Sequence, residues 1–114
     1  MDTLPIINRM YEIFKQVTVL IEHLPKRQRF SLGESMEQSV LACLEHLIMA
    51  KNAPKPLKAA YLIQASSQLE SLMLKLRLFL ELKYGSATTI FKLQEMVEEV
   101  GRMLGGWLKS LNAP

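Results

Sequence analysis

The side chains best suited to acid–base, nucleophilic or soft-metal chemistry are His23, His46 and the lone Cys43. A histidine base works when a second group orients its imidazole, and a nucleophilic thiol needs a base beside it. The chain shows no Ser/His/Asp motif and no such partner at a telling spacing. Cys43 and His46 are three residues apart, near enough on one helix to meet one ion. A closed zinc site takes four ligands, however, and no second pair follows. A di-iron bundle needs Glu-x-x-His repeats, and Leu20 and Cys43 stand where those glutamates would be. Neither a P-loop nor a glycine-rich dinucleotide turn is present. The residues therefore predict no catalytic group, no metal and no cofactor. Cys43 reads as a small hydrophobe packed in a core.

What remains is the chemistry of charge. Fourteen Lys and Arg against eleven Asp and Glu give a net charge of +3 and a pI of about 9.1. That excess permits a polyanionic partner without requiring one. The cations cluster. Lys26, Arg27 and Arg29 follow Pro25; Lys51, Lys55 and Lys58 surround Pro54 and Pro56; Lys75 and Arg77 lie farther along. These eight are the candidate nucleic-acid contacts. Side chains of this kind bind phosphate through many weak, salt-sensitive contacts. No RNP-like aromatic motif or helix-turn-helix pattern argues for base-specific reading.

The elements that position these residues are helices. Breaks at Pro25, at Asn52 to Pro56 and at Tyr84 to Ser86 divide the chain into four segments. Each has apolar residues every three or four positions: Ile7 to Leu24, Met36 to Ala50, Leu62 to Phe79, and Leu93 to Leu111. Period-two alternation is absent. The expectation is an all-α, antiparallel up-down four-helix bundle, a single domain over 1–114. Pro5 suits the first turn of the first helix. Ser31 with Glu34 has capping-box spacing, and Phe30 before it has the place of a hydrophobic staple. Ser86 or Thr88 would cap the last helix.

In such a bundle the first and third connections share one end, which collects Lys26, Arg27, Arg29, Lys83 and Lys92. The other end collects Lys51, Lys55, Lys58 and Lys109. Several copies side by side would repeat each basic end around a ring. The apolar faces are also wider than one core requires. The first helix adds Ile6, Ile13 and Leu20; the second Leu41, Leu44 and Ile48; the third Met73, Leu74, Leu78, Leu80 and Leu82; the fourth Ile90, Met96, Met103 and Leu108. Either flanking residues seal a small core, or a second surface is buried in a homo-oligomer. The third helix, apolar almost all round, favours the oligomer. Gly101, Gly105 and Gly106 each weaken a helix by about 1 kcal/mol relative to Ala. Trp107 continues the core spacing beyond them, so the helix is expected to reach about Ser110. These four residues are candidates for close helix or subunit packing.

Composition bounds the rest. With 49% hydrophobic and 22% charged residues, disorder is not expected. One cysteine excludes an internal disulfide framework and fits a reducing compartment. No targeting segment or membrane-spanning apolar run is visible, so the expected location is the cytoplasm.

Phe30-Ser31-Leu32-Gly33-Glu34, Gly101 through Ser110 and, more loosely, Leu69-Glu70 with Leu76-Arg77 carry a resemblance. They resemble the accessory variability determinant (Avd) family of diversity-generating retroelements. That family is related to the four-helix-bundle proteins encoded in intervening sequences of 23S ribosomal RNA genes. The resemblance spans nearly the whole chain, and its most specific part is Gly105-Gly106-Trp107. It implies a four-helix protomer assembling into a homopentameric barrel. It also implies an accessory role: binding the retroelement's reverse transcriptase and RNA or DNA, in support of mutagenic cDNA synthesis and retrohoming. Of the basic residues only Arg77 stands in a stretch that matches; the others rest on placement. The alternative is a protein of the 23S intervening-sequence type, with an undefined RNA or protein interaction role.

Overall fold

Pro5 lacks the N–H that a first helical turn leaves unsatisfied, and helix α1 (Pro5–Glu22) starts on it. In the computed structural model, residues 4–112 are described. Residues 1–3 and 113–114 of the expected domain lie outside the described residues. Helix α1 ends at His23, whose Nδ1 lies 2.8 Å from the Val19 carbonyl oxygen, and Pro25 follows.

The second rod departs from expectation at its start. It begins at Lys26, not at Ser31. Helix α2 (Lys26–Gln28) runs through a π-helical stretch (Arg29–Gly33) directly into α3 (Glu34–Asn52). Ser31 is therefore no N-cap. Its hydroxyl donates to the carbonyl oxygens of Arg27 and Gln28, at 3.0 and 3.3 Å. Phe30 is no staple, being 65% exposed. The wide turn has a physical reason. Met36, Cys43 and Ala50 form the core stripe at seven-residue intervals, and Arg29 is the next position back along it. A regular α-helix would aim Arg29 into the core. The Glu34 N–H instead reaches five residues back to the Arg29 carbonyl, which inserts the extra residue of a π turn. Gln28 then leans inward in place of Arg29, with its Oε1 buried, while Arg29 and Phe30 face solvent. Gly33 sits tight against α1: a Cβ there would lie 2.9 Å from Ile21 Cγ2.

Pro54 precedes α4 (Lys55–Leu82), with Pro56 in its first turn. Lys58 ties this helix to α3, donating to the Ala50 and Lys51 carbonyl oxygens at 2.8 and 2.9 Å. Those acceptors belong to the last turn of α3, where carbonyls have no intrahelical partner. Helix α4 closes in a Schellman motif. Lys83 takes the left-handed conformation (φ 60°), its N–H bonding to Leu80, and the Tyr84 N–H bonds to Phe79 at 2.8 Å. The Tyr84 ring meets Phe79 edge-on, with centroids 5.8 Å apart. After Gly85 (φ 76°), Ser86 caps α5 (Ala87–Leu111) by accepting the Thr89 N–H at 3.3 Å.

Helix α1 packs against α3 and α5, and α4 packs against the same two. The rods thus form a closed square with α1 diagonal to α4, an antiparallel four-helix bundle measuring 49 × 24 × 20 Å. Among the described residues there is no strand. Met10, Ile13, Met36, Leu47, Leu62, Leu72, Leu76, Phe79, Ile90 and Leu93 fill the axis and are fully buried.

The surplus apolar residues divide by helix. Ile6, Ile13 and Leu20 of α1 and Ile90 and Met96 of α5 are buried within the protomer, and Met103 and Leu108 pack against its core. These only seal the bundle. Leu41 and Ile48 on α3 and Ile63, Leu74 and Leu82 on α4 remain exposed.

Candidate functional site

The two basic groups stand at opposite ends of the 49 Å axis. At one end Leu4, Pro5 and Ile6 meet Lys51, Lys58, Met103 and Trp107 around an open cleft of about 450 Å³. Lys55 begins α4 beside it. At the other end Lys26, Arg27 and Arg29 open the second rod, where Thr18, Ile21 and Glu22 of α1 face Arg29, Phe30, Glu34 and Glu37 across a groove.

The ion pairs among the described residues lie on the flanks. Arg9 donates through Nε and Nη2 to Glu99, Lys15 pairs with Glu12, and Arg77 pairs with Glu81 at 3.1 Å. Lys26, Arg27, Arg29, Lys51 and Lys55 form no ion pair among the described residues. Unpaired cations are the ones available to phosphate, because no competing carboxylate must first be released.

Two of the eight candidates have structural work. The Lys75 ammonium donates to the Ser39 hydroxyl at 2.6 Å and to the Ser35 carbonyl oxygen at 3.0 Å. Burial lowers its pKa. Lys58 is held by the α3 carbonyls. Sequence spacing placed both on the surface of the bundle but gave no sign of these acceptors. Arg77 is exposed and keeps two guanidinium nitrogens beyond its bond to Glu81. Of the eight candidates, Lys26, Arg27 and Arg29 at one end and Lys51 and Lys55 at the other are thus free of both ion pairs and structural acceptors among the described residues, with Arg77 between. Phe30, in line with these cations, has the sequence position of a staple, but the π turn leaves it exposed. The one available signal was Arg29 itself, a cation on the extended core stripe.

Helix α5 runs through all three of its glycines. A Cβ on Gly101 would lie 3.7 Å from Leu69 Cδ2, an ordinary contact, and a Cβ on Gly105 or Gly106 would meet nothing within 4 Å. No neighbour inside the protomer demands glycine at either of the last two positions. Trp107 is half-buried against the core.

The groups able to do acid–base chemistry stay apart. Cys43 is fully buried, and burial pushes its thiol up to about 12. His46 is half-buried with Nδ1 enclosed and unpartnered, and His23 is exposed at the end of α1. No group of three His, Cys, Asp or Glu side chains is placed to hold a metal ion among the described residues. No helix among them is long and apolar enough to cross a membrane.

A search of curated proteins finds no match to the chain. The model of the bAvd-like family, in contrast, matches residues 4–111, all four rods of the bundle, and the chain accordingly belongs to that family of accessory variability determinant proteins.

Proposed function

We propose that the chain is a non-catalytic accessory protein of a diversity-generating retroelement. It works in the cytoplasm and binds the element's reverse transcriptase and RNA or DNA, so supporting mutagenic cDNA synthesis and retrohoming. Family membership supports the accessory role. The observation that carries nucleic-acid binding is the unpaired state of Lys26, Arg27, Arg29, Lys51 and Lys55 at the bundle ends. The 49 Å between the ends corresponds to about 14 steps of a duplex at ~3.4 Å each, so each end acts as its own contact.

A homo-oligomer, a pentameric barrel as in the family resemblance, multiplies these contacts. The apolar stripes left open on α3 (Leu41, Ile48) and α4 (Ile63, Leu74) support it, since exposed apolar surface in rows is characteristic of subunit contacts. Gly101, Gly105, Gly106 and Trp107 fit the same assembly as positions where a second copy approaches.

The test is fluorescence anisotropy of labelled RNA and DNA against salt, with the charge reversals Arg27→Glu and Lys55→Glu. Affinity should fall steeply as salt rises, and each reversal should weaken binding to all sequences and flatten the salt slope. Binding insensitive to both salt and reversal contradicts the basic-end reading. Co-purification with a reverse transcriptase of a diversity-generating retroelement tests the second partner.

A further inference from the structure

We propose that Phe30 is a stacking platform for an unpaired nucleobase, so that the Arg29 end of the bundle selects single strands over duplex. The inference rests on the nucleic-acid reading above and adds to it the kind of strand and the residue that recognises it.

Phe30 is the most exposed of the large hydrophobic side chains, at 65%. It takes no part in the core. The π turn that keeps Arg29 out of the core also fixes Phe30 outward, and the Ser31 hydroxyl bonds to the Arg27 and Gln28 carbonyls stiffen that turn. The Arg29 guanidinium lies 5.9 Å from the ring centroid, within cation–π range. Lys26 and Arg27, both exposed and free of carboxylates, precede it on the same rod. An aromatic face interleaved with free cations is the arrangement that holds a single strand, its bases on the ring and its phosphates on the cations.

The acids in the neighbourhood give the site a direction. Glu22, Glu34 and Glu37 line the groove beside Phe30 and would repel a phosphate there. The backbone of a bound strand is confined to the Lys26 and Arg27 side, and only an uncharged base passes over the ring. Duplexes hide their base faces inside the stack, so they engage the cations and not the ring.

The experiment compares binding of a labelled oligothymidylate of about 15 nucleotides with a duplex of the same length, for the unaltered protein, Phe30→Ala and Phe30→Trp. Phe30→Ala should lose roughly 5- to 100-fold in affinity for the single strand, with duplex affinity unchanged. Phe30→Trp should restore the single-strand affinity. Light scattering should give the same oligomer mass for all three. An unchanged ratio of single-strand to duplex affinity in Phe30→Ala overturns the proposal and leaves the basic-end reading intact. A change of oligomer mass in Phe30→Ala overturns it in favour of a subunit contact. Failure of the unaltered protein to bind either nucleic acid at low salt overturns both readings together.

Discussion

The ammonium of Lys75 on α4 sits 2.6 Å from the hydroxyl of Ser39 on α3, and Ser39 is the one buried polar side chain among the described residues. A buried hydroxyl deprived of its partner costs about 1–3 kcal/mol. Lys75→Met, which keeps the apolar stem and removes the charge, should therefore lower the melting temperature by about 4 °C or more. Nucleic-acid affinity should be unchanged, because this ammonium already has its acceptors. A Lys75→Met protein of normal stability and weakened binding would return Lys75 to the interface.

Glycines at different positions should respond in opposite directions. Gly33→Ala places a methyl 2.9 Å from Ile21 Cγ2, a branched, buried stem that cannot swing aside. Overpacking should outweigh the better helix propensity of alanine, for a net loss of about 1 kcal/mol. Gly105→Ala and Gly106→Ala meet no neighbour, so each should stabilise the protomer by roughly 0.5–1 kcal/mol. Denaturant titrations at low protein concentration give the sign. If the two alanines instead break up a larger assembly in light scattering, the glycines serve contact between copies.

Cys43 makes stability depend on alkaline pH. Its thiol ionises near 9 when the chain is unfolded and at about 12 in the core, where burial disfavours the thiolate. Between those values the unfolded chain loses a proton that the folded chain retains, so stability falls as pH rises above 9. The full span is worth on the order of 4 kcal/mol. Thermal melts from pH 8 to 11 should fall more steeply for the unaltered protein than for Cys43→Ala. Parallel slopes would remove Cys43 as the cause. Below pH 9 the folded protein should resist thiol reagents until it unfolds.

The start of α5 rests on one side chain. Ser86 accepts the Thr89 N–H at 3.3 Å, a long bond for a cap. Ser86→Ala should cost about 0.5–1 kcal/mol, at the low end for a lost N-cap, measurable as a lower denaturation midpoint with unchanged slope.

Apolar spacing alone fixed most of the bundle. Val40, Cys43, Leu69, Leu76 and Leu93 are buried where three- and four-residue periodicity puts them, and Pro5 and Ser86 occupy the helix starts expected of them. The second rod starts at Lys26 and not at Ser31, because a capping box and a wide helical turn share residues. Which one forms depends on whether the preceding turn is helical, and here the turn from Lys26 is helical, with Gly33 close against Ile21 of α1. The candidate interface was legible as clusters of cations. Which of them are free was not, because the partners of Lys58 and Lys75 come from a neighbouring helix seven to forty residues away. The apolar surplus is ambiguous for the same reason: Ile13 and Leu74 both lie on extra stripes, but α1 turns its stripe inward while Leu74 on α4 stays exposed.

The π turn also draws a boundary for sequence drift. Beyond Gly33 nearly every third or fourth residue of the rod is packed against α1 or α4, and change there is felt in the core. Lys26, Arg27, Arg29 and Phe30 face solvent, so the fold places few demands on them. They form a handle on a fixed shaft, open to change without cost to the core.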